Sequence, residues 1–410
     1  MQILHRNPFR RQYQRSQALR AAVLATFSQT PHSLRHTLGT FTERDWRANL
    51  YWLDASGLAL YLLDHLQQHG QECILPASIL QRLQQNLAEN TLRNLDLLEE
   101  TIDINRSLLR EGVFFTNLKG ITLSPESVPN PALRFQLDLD FMVFAEHAES
   151  ATRVLQHRGY RLACVSGETL EFKSGQSQLA KLKDLYKSKP QRSAELHLVR
   201  DSSLLERVQV RACSGHPLSV LAPADLYVQQ ALHLFKHLNS AFTRAAWLLE
   251  HQRNMLSHQN DPLFWDQVAL RSTEQPQILR ALKFVTDSVS ELLATDPPTG
   301  LQRIVSAQAD PAAELWIKLY GRRTLLADFP GTKLYLLLEA TSERRKHLLP
   351  RVAPPSITQQ HRKEAHINRL RSRMVQLRYI LFRLRFHLVE GLRYALESPR
   401  FHRVLAGRSQ

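Results

Sequence analysis

The sequence predicts an α+β protein, a small mixed β-sheet core flanked by N-terminal and C-terminal helical regions. Leucine and isoleucine recur at helical spacing before residue 111 and again beyond residue 223. Between these stretches the apolar pattern shortens to β-branched and aromatic runs bounded by glycine and proline, which is how strands are punctuated. The chain has 410 residues, 43% hydrophobic and 22% charged. That is the composition of an ordinary globular protein, long enough to bury its core without disulfide or metal staples, and it excludes collagen-like, mucin-like and fully disordered classes.

Residues 1–45 form a basic N-terminal segment, with six arginines and no acidic residue before Glu43. Arg10, Arg11, Arg15 and Arg20 describe a basic surface helix or the composition of a targeting peptide; no small-residue cleavage site follows a clean apolar core, so a secretory signal is not expected. Residues 46–111 read as an N-terminal helical region. Leu50, Leu53, Leu58, Leu60, Leu63 and Leu66 give one amphipathic helix ending near Gly70, and Pro76 opens a second whose apolar face runs from Leu80 to Leu108 until Gly112 stops it.

Residues 112–220 read as a mixed α/β domain. Runs 113–118 and 137–144 are strands, separated by a loop that Pro125, Pro129 and Pro131 keep from being regular helix. A helix over 145–158 ends at Gly159. Strands 160–165 and 169–173 flank Ser166-Gly167-Glu168 as a hairpin, and 194–199 is one more strand. Residues 221–350 return to helical period, broken at Pro297-Pro298 and Pro330-Gly331. Residues 351–410 form a basic helical tail after Pro354-Pro355. There Ile367, Leu370, Met374, Leu377, Leu381, Leu384 and Leu388 alternate three and four apart as a heptad seam. Residues 361–410 hold twelve basic side chains against three acidic ones. Their arginines point all round the helix, so the seam is expected to pack on the body or on a partner helix rather than lie on a membrane. The arginines offer a salt-sensitive contact to a polyanion.

Lys and Arg number 53 against 38 Asp and Glu, a net charge of +15, which draws nucleotides, nucleic acid or acidic surfaces. Cys73, Cys164 and Cys213 have neither CxxC spacing nor a disulfide framework, as fits a reducing, cytoplasmic setting. No apolar run approaches the roughly 18 to 20 residues that cross a bilayer. A soluble protein with no transmembrane segment is expected.

Chemistry is concentrated in the stretch Arg134-Phe135-Gln136-Leu137-Asp138-Leu139-Asp140. On a strand, Asp138 and Asp140 project to one face about 6.5 to 7 Å apart. Neighbouring carboxylates in an apolar segment repel each other unless a cation lies between them. Hard Mg²⁺ prefers such oxygens, and a pair of ions can activate an attacking hydroxyl while stabilising a leaving pyrophosphate. Upstream, Leu118-Lys119-Gly120 ends a strand where backbone N–H groups and a lysine can meet phosphate. Downstream, Glu195-Leu196-His197 offers a third carboxylate with His197 on the same face. Each residue has a plainer reading: Lys119 as a solvated strand end, Gly120 as a turn residue, Arg134 paired with Asp138 or Asp140, Glu195 paired with the nearby basic stretch. His233 and His237 share one helix face; without a third ligand they face a cleft or are satisfied in the core. No GxSxG elbow or activated cysteine supports Ser/His/Asp or thiol chemistry.

In order and spacing, LKG at 118–120, Arg134 shortly before the DxD of Asp138 and Asp140, and the acidic-x-His strand of Glu195 and His197 resemble a known family. It is that of the uncharacterised bacterial nucleotidyltransferase-like proteins of the DNA polymerase beta type superfamily. The likeness runs roughly from 46 to 250 and takes in the helix leading into 113–120, then Leu221-Ala222-Pro223-Ala224-Asp225 followed by His233 and His237. It implies a nucleotidyltransferase-like sheet that transfers a nucleoside monophosphate from an NTP, such as ATP, to an acceptor hydroxyl with Mg²⁺ or Mn²⁺. By the same resemblance Asp138 and Asp140 bind the metals, Glu195 supports the metal nearer the acceptor, and Lys119, Gly120 and Arg134 hold the triphosphate. His197 and His237 are expected in the cleft. The acceptor is unknown: a protein, an RNA end, a small molecule or a sugar phosphate. The alternative is a noncatalytic protein of the same fold that binds RNA or an acidic protein partner.

Overall fold

The computed structural model describes residues 8–29, 37–175, 184–188, 192–200, 203–341 and 365–407. Helices α1 (Pro8–Ala25), α2 (Glu43–Ser56), α3 (Ala59–Gln68) and α4 (Ala77–Arg110) precede the sheet. The strands are β1 (Phe115–Leu118), β2 (Asp138–Phe144), β3 (Tyr160–Ser166), β4 (Thr169–Ser174), β5 (Ser193–Val199), β6 (Gln209–Cys213) and β7 (His216–Val220), with α5 (Ala148–His157) between β2 and β3. Helices α6 (Pro223–Leu238), α7 (Ala245–Ser257), α8 (Pro262–Glu274) and α9 (Pro276–Leu293) follow, then shorter helices and a C-terminal helix, Ala365–Ala406. Among the described residues, no helix is long and apolar enough to cross a membrane.

The seven strands form one mixed sheet in the order β3-β4-β5-β2-β1-β7-β6. β2 is central, antiparallel to β1 and parallel to β5. Side chains alternate across a strand, so Leu139, Phe141 and Val143 share a face with Ala194 and Leu196 of β5. That face packs under Leu97, Ile104 and Leu108 of α4 and Ala151, Val154 and Leu155 of α5. The opposite face carries Asp138, Asp140 and Met142 beside Glu195 and His197, and α6 and α7 lie over it.

The single helix expected over 46–66 is two. Gly57 caps α2 with φ +78°, and a Cβ there would lie 2.8 Å from the Cβ of Ala246. The break thus lets α2 and α7 approach at a point where only glycine fits. The hairpin of β6 and β7, turning at Ser214 and Gly215 with positive φ at both, extends the sheet where no strand was expected.

A second, larger core joins the helical parts. Leu19 and Val23 of α1, Trp46 and Trp52 of α2, Tyr227, Leu248, Val285, Trp316 and Phe401 belong to one buried cluster. Arg20 does not lie on a basic surface. It is buried, donating to Asn49 Oδ1 and to the Leu326 carbonyl, each at 2.8 Å, and pairing with Asp328.

The C-terminal helix docks through Phe401, wholly buried, and through Glu390, which accepts from the Lys333 amide at 3.1 Å. The expected seam does not do this. Leu377, Leu381, Leu384 and Leu388 are each more than half exposed, because the stripe facing the body lies on the other side of the helix. The side chains of Ile367, Leu370 and Met374, and Pro354-Pro355, lie outside the described residues.

Candidate active site

Past Leu118 the chain leaves β1 with two residues at positive φ, Lys119 at 53° and Gly120 at 50°. With ψ at −157°, Lys119 occupies a region that costs a side chain on the order of 1–3 kcal/mol. Its Nζ donates to Asp140 Oδ1 at 2.7 Å. Gly120 abuts Gln136, whose amide atoms would lie 2.3 to 2.5 Å from a Cβ at that position. The Gln136 Nε2 donates to the Asp138 carbonyl at 2.6 Å. Gln136 therefore ties the turn after β1 to the start of β2.

Asp140 lies opposite Leu118 on one side and Glu195 on the other. Its side chain is 1% exposed and that of Glu195 26%. His197 Nε2 lies 2.9 Å from Asp140 Oδ1 and 3.3 Å from Glu195 Oε2. Thr169 Oγ1 of β4 lies 3.3 Å from the other ring nitrogen. One ligand atom from each of Asp140, Glu195 and His197 lies within 4.8 Å of the others. Asp138, on the same face, is not in that group, so His197, expected only in the cleft, stands where a ligand would.

Burial raises the Asp138 carboxyl above its ordinary pKa, and the charge of Asp140 adds to this. Asp140 is buried too, but hydrogen bonds from His197 and Lys119 hold its pKa down. Burial opposes charge on His197, yet Asp140 and Glu195 raise its pKa. Lys119 and His197 thus both sit on Asp140, while Asp138 has Lys119 and Arg134 only at longer range. The oxygen-rich set of Asp138, Asp140 and Glu195 fits a hard divalent cation.

Arg134 pairs with neither aspartate. It is buried against Glu250 of α7, at 3.2 Å, and Glu250 also accepts from Tyr61 Oη at 2.9 Å. Arg134, Lys119, His197, His233 and Trp247 line a cavity of about 310 Å³ floored by Leu118 and Met142. His237 lines instead a neighbouring hollow of about 570 Å³. The two imidazoles pack on Trp247, with ring centres 4.9 Å away for His233 and 4.4 Å for His237. Burial pulls their pKa values down to about 2 and about 4, so both are neutral at neutral pH. Glu250 and Thr169 could not be found from local sequence, since neither lies in the stretches that hold the motifs.

A family model described as an uncharacterised nucleotidyltransferase matches residues 42–294, which takes in α2 through α9 and the whole sheet. No curated protein matches. The crystal structure of an antigenic nucleotidyltransferase-like protein from Paracoccidioides brasiliensis aligns with 47% of this chain and 91% of that one, at 12% identity and a TM-score of 0.27.

Proposed function

Because the chain belongs to the uncharacterised nucleotidyltransferase family, we propose that it moves a nucleoside monophosphate from an NTP to an acceptor hydroxyl, with Mg²⁺ or Mn²⁺ held by Asp140, Glu195 and His197. Asp138 would add its carboxylate from the same face. The observation that carries this reading is the meeting of those three ligand atoms across β2 and β5, beside a cavity that Lys119 and Arg134 line. When bound, the cation would neutralise phosphate charge and ease ionisation of the acceptor hydroxyl.

The chain's own residues do the positioning. The acceptor oxygen attacks the α-phosphorus, the bond to the bridging oxygen breaks and pyrophosphate leaves; Glu195, the more open carboxylate, takes the hydroxyl proton. Lys119 stands at the cavity wall, where its ammonium can turn from Asp140 to a phosphate oxygen. Thr169 holds the His197 ring through Nδ1, leaving Nε2 to face the carboxylates, and Gln136 fixes the start of β2. Such chemistry is mostly placement and charge neutralisation.

The test is transfer of label from each α-labelled NTP to a component of cell extract in Mg²⁺ or Mn²⁺, comparing wild type with Asp140→Asn and Glu195→Gln. Labelling by wild type and a loss of at least about 100-fold in both variants is expected. Equal labelling by all three proteins would sink the reading. One observation favours the noncatalytic alternative: Lys119 and His197 both sit on the same oxygen of Asp140, an internal counter-charge that already satisfies it. Its signature would be NTP binding without turnover.

A further inference from the structure

The hollow of about 570 Å³ shares Lys236 and Trp247 with the cavity beside Lys119. Leu137, the chain neighbour of Asp138, is part of its wall. Tyr51, Phe135, Trp247 and Phe329 give it aromatic walls, and Lys236 joins Arg244 as a second cation.

Arg244 sets this hollow apart. Its guanidinium lies 4.4 Å from the centre of the Phe135 ring and 5.2 Å from that of Trp247. Arg134 has Glu250, Arg82 has Asp54 and Arg271 has Asp225, while buried Arg93 donates to the Gln136 and Lys187 carbonyls. Arg244 has neither an ion pair nor a side-chain hydrogen bond to any described residue. Asp138 and Glu250 favour its charge only from a distance, and a half-buried guanidinium with no direct partner keeps its N–H donors free for a ligand. The planar fork of arginine matches phosphate oxygens two at a time. Aromatic walls accept a flat ring by stacking, whatever the base.

We propose that this hollow is the acceptor subsite and that the acceptor is a nucleotide-type molecule, with its phosphate on Arg244 and its ring against the aromatic wall. The inference rests on the transfer reading above and adds the acceptor's chemical class to it. A free nucleotide and the end of a single-stranded nucleic acid present the same chemistry, and the measurement separates them.

The full-length protein is titrated calorimetrically, without divalent metal, with AMP, adenosine, inorganic phosphate and a three-residue oligoadenylate. AMP or the oligonucleotide is expected to bind at least about tenfold more tightly than adenosine or phosphate alone. The tighter of the two identifies the source. Arg244→Met should weaken that binding at least about tenfold and Arg244→Lys by less, because only the planar fork is lost in the latter. Without ligand, Arg244→Met should stay folded and melt within a few degrees of wild type, since it loses only the ring contacts; failure of the variant to fold would make Arg244 a structural residue and overturn the proposal. So would unchanged AMP and oligonucleotide affinity in Arg244→Met, or no binding by wild type. Asp140→Asn should keep the binding. If that binding holds and no transfer is ever seen, the catalytic reading fails alone; if transfer occurs with Arg244→Met at an unchanged acceptor KM, only the acceptor subsite fails.

Discussion

Lys119 carries two opposed effects at one position: a strained backbone and an ammonium on a buried carboxylate. Replacing it by glycine or by alanine removes the amine equally, but only glycine accepts φ 53° without strain. Lys119→Gly should therefore be more stable than Lys119→Ala by about 1 kcal/mol or more, measured by urea unfolding, while both lose transfer activity alike. Equal stabilities would mean the turn relaxes once the lysine is gone. At this scale the sequence showed the residue types and their order, and the strand alternation behind Asp138 and Asp140 was legible. The ion pairs were not. Arg134 meets Glu250 across 116 residues, and nothing local to either names the other.

Among the elements, β1 and the β3–β4 hairpin were legible because glycines bound them, and β2 and β5 because apolar residues alternate with acidic ones or histidine along them. β6 and β7 were not, since Gln209, Arg211 and His216 dilute the pattern at a sheet edge where half of each strand faces water. The break between α2 and α3 depends on how closely α7 approaches Gly57, a contact made far along the chain. Helices α6 and α7 meet where Tyr227 stacks on His251, with ring centres 4.6 Å apart. His251 is fully buried, neither ring nitrogen has a partner among the described residues, and burial takes its pKa from 6.5 to about 3. The folded state refuses a proton that the unfolded chain accepts. Its contribution is therefore present above about pH 6.5 and lost as pH falls towards 3, at ~1.4 kcal/mol per pH unit. Unfolding at pH 7 and pH 5 should show His251→Phe losing about 2 kcal/mol less than wild type over that interval. The same loss in both would show that the imidazole is not the proton acceptor.

For the whole molecule, the larger core reaches from Leu19 to Phe401, well outside the part that carries the sheet. Phe401→Ala should cost about 3–5 kcal/mol, read as a fall in melting temperature of the entire protein; an unchanged transition would mean that the C-terminal helix docks without contributing to stability. Its docking stripe was hidden in the sequence by a more regular leucine row that the fold leaves in solvent, and heptad spacing does not say which side of a helix meets the body. The parallel pairing of β2 with β5 has one more effect, on timing. Asp140 and His197 are 57 positions apart, with a helix and a hairpin between them, so a chain emerging from the ribosome cannot assemble the donor cluster until that excursion has folded back. Closure over such a distance is slow compared with helix formation, and a divalent ion has no organised place to settle before it. The ion would then latch a finished sheet instead of seeding one, and adding it to a refolding mixture should leave the folding rate alone while slowing the return to the unfolded state.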